Sequence, residues 1–258
     1  MNLVFDKKLA KKYTSASQKA RVLSEGWVAD SIFCPNCGCS GIKEYENNRP
    51  VADFFCKNCS EEYELKSKQN TIGSKIPDGA YSTMLKRLAS SANPNFFFLN
   101  YSLLNFSVND FFVIPKHFFV PEIIEKRKPL ASTARRAGWV GCNILLKSIP
   151  ESGKVFFVRN RRIEKKAKVV ANWQRTLFLR EEKEISARGW LIDVMRVVEK
   201  IRRPEFMLDD VYGFEKELSL LHPGNKHVKD KIRQQLQVLR DKGFLRFHGR
   251  GSYGLIHS

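Results

Sequence analysis

The chain has 258 residues, of which 43% are hydrophobic and 12% aromatic, enough to fill a buried core and too much for a disordered polymer. A formal net charge of +18 favours a polyanionic partner. Nucleic acid comes before an anionic membrane surface, because no basic amphipathic anchor is present. No apolar run approaches the roughly 20 residues a membrane helix needs. The N-terminal MNLVFDKKLAKKY lacks the apolar centre of a signal peptide, so a cytoplasmic protein without membrane contact is expected.

In chain order, Leu9, Tyr13, Ala16 or Ser17, Ala20, Leu23 and Trp27 recur at helical spacing and predict a helix over 6–28. Four of the six cysteines then fall as Cys34-x2-Cys37-x18-Cys56-x2-Cys59. In a reducing compartment disulfides are not expected, and two thiolate pairs at this separation suit a structural zinc ion held by two tight knuckles. Cys39 is a possible substitute ligand with poorer spacing, and Cys142 reads as a small core residue. Residues 51–56 and 61–67 read as two strands, and 77–91 as a helix with Tyr81, Met84, Leu85 and Leu88 turned inward. The short apolar runs 96–101, 111–114 and 155–158 read as buried strands. Strands interleaved with helices predict an α/β core with a mixed sheet.

Two basic stretches interrupt that core. Residues 125–139, EKRKPLASTARRAGW, include Arg127, Lys128, Arg135, Arg136 and Trp139, and residues 159–168 read RNRRIEKKAK. Each is either a solvated surface or a DNA contact; the overall charge favours DNA. A new pattern begins near Arg188. One amphipathic helix ends at Arg203-Pro204, and a second covers 206–221. A third runs from a cap at Asn225 to Lys242, with Val228, Ile232, Leu236 and Leu239 inward and Lys229, Arg233, Gln237 and Arg240 outward. Gly243 stops it. A hairpin with Gly249-Arg250-Gly251 at its tip follows. Three helices and a basic hairpin are the order of a winged helix-turn-helix, which touches DNA with the third helix and the wing. The boundary is expected in 181–187, giving a domain over 1–183 and a second over 184–258.

The stretch 50–68, PVADFFCKNCSEEYELKSK, carries the candidate chemistry. If the Cys56–Cys59 knuckle closes a hairpin centred between Lys57 and Asn58, Asp53 lies roughly opposite Glu62. Strand alternation then puts Asp53, Glu64 and Lys66 on one face. Two converging carboxylates repel unless a divalent cation intervenes. Magnesium fits such hard oxygen ligands and bridges to phosphate, and Lys66 can hold the attacking water. The reaction this predicts is phosphodiester hydrolysis. The competing reading is an exposed hairpin with an ordinary ion pair, which would leave a zinc-ribbon and winged-helix regulator that binds DNA without cutting it.

The segments SQKAR (17–21), CPNCG (34–38), ENNRPVADFFC (46–56), CSEEYELKSK (59–68), NPNFFFL (93–99), RKPLASTARRAGWVGCNI (127–144) and KIRQQLQVLRDK (231–242) together resemble the methyl-directed type II restriction endonucleases of the DpnI type. PVAD…ELK resembles the PD-(D/E)xK nuclease motif with its proline displaced. The resemblance implies a bacterial, monomeric, zinc-bearing PD-(D/E)xK nuclease joined to a winged helix. It implies magnesium-dependent cutting of double-stranded GATC in which adenine carries an N6-methyl group. Asp53, Glu64 and Lys66 match the catalytic motif, with Asp53 and Glu64 holding magnesium, and the four cysteines match the zinc ligands. Trp139 matches the position expected to meet methylated bases, unless it is a core tryptophan. In the winged helix, Arg233, Gln234 and Gln237 would read bases, and Lys229, Arg240 and Arg250 would hold phosphates.

Overall fold

A computed structural model describes residues 1–46, 52–90 and 93–256. In chain order the elements are α1 (Ala16–Ser31), β1 (Lys43–Glu44), β2 (Phe54–Phe55), β3 (Glu62–Gln69), β4 (Lys75–Ala80), α2 (Tyr81–Leu88), β5 (Asn95–Ser102), β6 (Ser107–Ile114), β7 (Ile124–Lys126), β8 (Gly141–Leu145), β9 (Val155–Arg159), β10 (Arg162–Ile163), α3 (Lys166–Gln174), α4 (Ile185–Lys200), β11 (Glu205–Met207), α5 (Leu208–Tyr212), α6 (Glu215–Leu221), α7 (Val228–Asp241), β12 (Leu245–Gly249) and β13 (Ser252–Leu255). The chain forms two compact units: Met1–Ile76 with Ser82–Lys116 and Lys154–Gln174, and Pro77–Tyr81 with His117–Gly153 and Arg175–Ser258.

The first unit is built on a seven-stranded sheet in the order β1-β2-β3-β5-β6-β9-β10. β3 and β5 run parallel, and the other neighbours are antiparallel. Phe96, Phe97, Phe98 and Leu99 on β5 are wholly buried, so this strand is apolar on both faces. On one face Phe97 stacks on Tyr63 at 4.4 Å and packs near Phe111 and Phe157, and Trp27 of α1 meets Phe111 edge-on at 5.2 Å. On the other face Phe98 stacks on Phe112 at 5.2 Å. The mixed α/β sheet expected from the apolar runs is present.

Several boundaries differ from expectation. The helix predicted over 6–28 starts at Ala16, and residues 7–10 form a separate short turn whose Leu9 is 42% exposed. Helical spacing spanned both pieces, but Tyr13 and Thr14 break the hydrogen bonding between them. Residues 77–80 belong to β4 and not to the following helix, which begins at Tyr81. The predicted strand 51–56 shrinks to Phe54–Phe55, while Val51, with Pro50 of the PVAD motif and Ser91 of the predicted helix, lies outside the described residues.

The second unit contains a three-stranded sheet, β4-β8-β7, and the C-terminal helix-turn-helix. The latter follows the order α4, β11, α5–α6, α7, β12, β13, with strands paired β11-β13-β12. The predicted second helix is a strand followed by two short helices. Phe206 enters β11 and stacks on Tyr253, and the helical run breaks at Gly213 and Phe214. α7 buries Val228, Ile232, Leu236 and Leu239 as expected. Its cap position is His227 and not Asn225, whose Oδ1 instead accepts the His227 N–H at 2.7 Å in the preceding turn. Gly243 (φ +70°) ends the helix in the left-handed region, where a side chain would be strained. The wing tip is Gly249-Arg250-Gly251, all three at positive φ. Among the described residues no helix is long and apolar enough to cross a membrane.

Candidate active site and nucleic-acid interface

Two similar turns gather the four cysteines. In the first, Cys34 N donates to Cys39 O (2.9 Å) and Gly38 N to Cys34 O (2.8 Å); in the second, Cys56 N donates to Glu61 O (2.9 Å) and Ser60 N to Cys56 O (2.8 Å). Gly38 and Ser60 both adopt positive φ, so Ser60 takes a conformation usually left to glycine. The ligand atoms of Cys34, Cys37, Cys56 and Cys59 lie within 4.8 Å of one another. Cys34 Sγ lies 3.5 Å from Cys59 Sγ, and Cys37 Sγ 3.6 Å from Cys56 Sγ. Tetrahedral zinc with Zn–S near 2.3 Å needs sulfurs roughly 3.8 Å apart, so this cluster could hold zinc. Cys39 is not part of it; it occupies the place in the first turn that Glu61 holds in the second, and its side chain is exposed. Cys142 is buried and does not belong to the cluster.

The surroundings of the cluster were not legible in the sequence. Tyr63 Oη lies 3.2 Å from Cys34 Sγ, and fully buried Trp173 on α3 donates from Nε1 to Asn36 Oδ1 at 2.9 Å. Gln174 Nε2 donates to Asn36 O at 2.7 Å. Burial drives the Cys34 thiol up. Burial also works to raise Cys37, but hydrogen bonds from Asn58 and the Cys39 backbone outweigh it and bring Cys37 down to about 7. Thiolates are the form that binds zinc, so the hydrogen bonds from Asn58 and the Cys39 backbone to Cys37 favour the metal-ready state.

The second knuckle also sets the register beside it. Pairing of Phe54 with Tyr63 and Phe55 with Glu62 centres the turn between Asn58 and Cys59, one residue later than the symmetric hairpin predicts. Continuing that register puts Asp53 opposite Glu64, not Glu62. Asp53 N donates to Tyr63 O at 2.9 Å, and Asp53 Oδ2 accepts the Leu65 N–H at 2.6 Å. The acid is therefore tied to β3 on both sides of Glu64. Glu64 Oε1 pairs with Lys66 Nζ at 2.5 Å, and Glu64 Oε2 with Arg87 Nη2 of α2 at 2.8 Å. All three charged side chains are only 17–20% exposed.

Burial pushes the Asp53 carboxyl above its usual range; the Leu65 N–H works against this, and the Glu64 charge adds to it. Glu25 on α1 is raised to about 7, first by burial, with Arg21 opposing and with Glu44 and Asp53 adding repulsion. Glu44 is raised too, by burial first and by Asp53. Four carboxylates thus share one electrostatic neighbourhood. Asp53, immediately before β2, and Glu64 on β3 are hard oxygen donors, which fits a divalent cation such as magnesium. Arg87, Glu25 and Glu44 escaped sequence reasoning, because nothing in their spacing links them to the E-x-K motif. Arg21 lay within the SQKAR segment but carried no assigned role.

The predicted DNA-contacting residues of the second unit lie on a hairpin, on one face of α7 and on the wing. β7 and β8 continue outward through Arg127 N to Gly141 O (3.0 Å) and Leu130 N to Trp139 O (3.0 Å), so the basic stretch is a closed hairpin. Arg127, Lys128, Arg135 and Arg136 are exposed on it, while Trp139 is half-buried. The Arg136 guanidinium sits over the Trp139 indole, 4.8 Å from its centre. On α7, Lys229, Arg233, Gln234, Gln237 and Arg240 are exposed, as is Arg250 on the wing. Arg233 Nε donates to the Tyr212 hydroxyl, Gln234 accepts from Lys231 Nζ (2.9 Å), Lys229 pairs with Glu215 (3.6 Å), and Arg240 pairs with Asp241 (2.8 Å). The second basic run, 159–168, is a tight β9–β10 hairpin leading into α3, with its turn at Asn160 and Arg161.

Two family models match the chain. That of the Dam-replacing family, named DpnI, covers residues 1–182, and that of the Dam-replacing helix-turn-helix domain covers 186–254. The first spans the sheet, the cysteine cluster and the acidic site, and marks a nuclease acting on DNA; the second spans the winged helix. The chain belongs to the DpnI, or Dam-replacing, family, with that family's helix-turn-helix domain at its C-terminal end.

Proposed function

We propose that the protein is a methylation-dependent type II restriction endonuclease that recognises N6-methyladenine in double-stranded GATC and hydrolyses a phosphodiester bond with magnesium. The observation that carries the reading is the tether of Asp53 to the Leu65 N–H at 2.6 Å, beside Glu64 with Lys66 at 2.5 Å. A DNA-binding regulator has no use for a partly buried acid held in register with an E-x-K strand. The assignment of GATC and of the methyl mark rests on family membership.

Asp53 and Glu64 would hold magnesium, which supplies Lewis acidity at the scissile phosphate. Lys66 orients the attacking water. Arg87 shares the Glu64 carboxylate with Lys66, so it keeps that carboxylate directed while the lysine turns to its task. Cys34, Cys37, Cys56 and Cys59 would hold zinc, which would close the turn that sets Asp53 opposite Glu64. Residues 1–183 form the nuclease domain and 184–258 the DNA-binding domain of a cytoplasmic monomer. Arg127, Lys128, Arg135 and Arg136 grip phosphates beside Trp139, whose apolar ring covers the adenine N-methyl group. On the winged helix, Arg233, Gln234 and Gln237 face bases, and Lys229, Arg240 and Arg250 face phosphates.

The test is digestion of plasmid from adenine-methylating and non-methylating hosts, with magnesium, by the protein and by Asp53→Ala. Cutting of the methylated plasmid alone, lost in the variant, is expected. Equal cutting of both plasmids would remove the methyl-directed reading, and full activity of Asp53→Ala would remove the site.

A further inference from the structure

Trp139 is not presented bare. The indole leans on Gly141, where even a Cβ would lie 2.8 Å from its Cη2 and Cζ3 atoms, and Arg136 covers the ring. The loop backbone holds this arrangement. Trp139 N donates to Arg136 O at 3.1 Å, Gly138 N to Leu130 O at 3.0 Å, and Gly138 at φ +76° makes the turn between them. Among the described residues the Arg136 side chain has no hydrogen bond or ion pair, and it is exposed, so its guanidinium can leave the ring for a phosphate.

We propose that Arg136 is a specificity-determining latch: it occupies the Trp139 ring in the free protein, and a methyl group must displace it. This rests on the reading of Trp139 as the methyl-contacting residue. The latch sharpens discrimination for a simple reason. Once phosphate contacts have bound a duplex of either kind, the indole partitions between Arg136 and the base edge. An N-methyl group presents apolar surface that favours the ring strongly, so the methylated complex stays engaged with or without the latch. An unmethylated amino group presents a donor that gains little from an aromatic face, so Arg136 outcompetes it for the ring and mostly shuts it out. The latch therefore holds back the unmethylated complex selectively. An exposed cation–π contact corresponds to an equilibrium constant of roughly two to five. That factor is the extra discrimination expected.

The experiment is single-turnover cleavage at saturating protein, on one duplex with and without the N6-methyl group, by the full chain and by Arg136→Gln, Arg135→Gln, Trp139→Ala and Trp139→Phe. For Arg136→Gln the ratio of methylated to unmethylated rates should fall roughly two- to fivefold. Arg135→Gln, which removes a neighbouring charge without touching the indole, should leave the ratio unmoved. Trp139→Ala should collapse the ratio, and Trp139→Phe, which keeps a ring, should restore part of it. An unchanged or raised ratio in Arg136→Gln, with Trp139→Ala still collapsing it, overturns the latch and spares the Trp139 reading. A ratio unaffected by Trp139→Ala overturns both.

Discussion

The acidic site and the basic surfaces are built in opposite ways. Asp53, Glu64 and Lys66 are partly buried, and a neighbour fixes each: Leu65 N–H, Arg87 or one another. The residues proposed to meet DNA are exposed, on a hairpin, a helix face and a wing. Their partners are weak surface pairs such as Lys229 with Glu215 at 3.6 Å. A site that must place a metal and a water needs geometry set in advance, and buried hydrogen bonds provide it. A surface that follows a phosphate backbone needs charge and freedom to adjust, and exposed pairs of this kind are worth about 0–1 kcal/mol. Changes in the first region should abolish function, and changes in the second should grade it.

The largest effect expected is from Asp53→Ala, which removes a proposed metal ligand. Cleavage should fall on the order of a thousandfold or more, because the Lewis acid contributes several kcal/mol, while binding of methylated duplex in a gel-shift assay persists. Loss of both would mean that the acid supports the fold. Next comes the cysteine cluster. Chelation, or Cys56→Ser, should abolish cleavage without touching a catalytic residue, since structural zinc contributes about 10–16 kcal/mol of apparent binding energy to such folds. DNA binding by the winged helix of the same full-length protein should outlast it. Full activity of protein shown by metal analysis to lack zinc would break the link between knuckle and site.

A smaller effect follows from Glu25, whose carboxyl is raised to about 7 from 4.5. In metal-free protein the folded state keeps a proton that the unfolded chain has released, so the contribution of Glu25 to stability is greatest at low pH and declines as pH rises from 4.5 to about 7. Denaturation curves with chelator at either end of that window should show the decline, and Glu25→Gln should flatten it. A cation drawn to these carboxylates competes with the same proton, so the magnesium needed for half-maximal cutting should also fall as pH rises toward 7. The smallest effect belongs to the outer surface. Lys229→Ala or Arg250→Ala should weaken binding of methylated and unmethylated duplex alike and lower the slope of log affinity against log salt by about 1. A change in methyl preference would instead make either residue a base reader.

Much of the site was legible locally. Cysteine spacing identified the cluster, because two C-x-x-C turns leave thiolates little choice of partner. The E-x-K strand was legible because alternate residues share a face. The register between them was not, since it depends on Ser60 taking positive φ, which no propensity rule assigns to serine. Arg87 reaches Glu64 from a helix 23 positions away, and Glu25 approaches from α1, which precedes both cysteine turns; neither proximity exists until the sheet is assembled.

The sequence by itself determined the local chemistry: the thiolate pairs, the acid and E-x-K strand, the apolar runs of β5, β6 and β9, and the inward face of α7. Each depends on periodicity or spacing within a short segment, where backbone geometry alone decides which side chains coincide. Tertiary structure decided what surrounds them. It put Tyr63 and the Trp173–Asn36 pair around the cysteines, Asp53 across from Glu64, and Arg136 over Trp139. These contacts depend on strand register and on how a loop folds back, and packing of the whole sheet selects both.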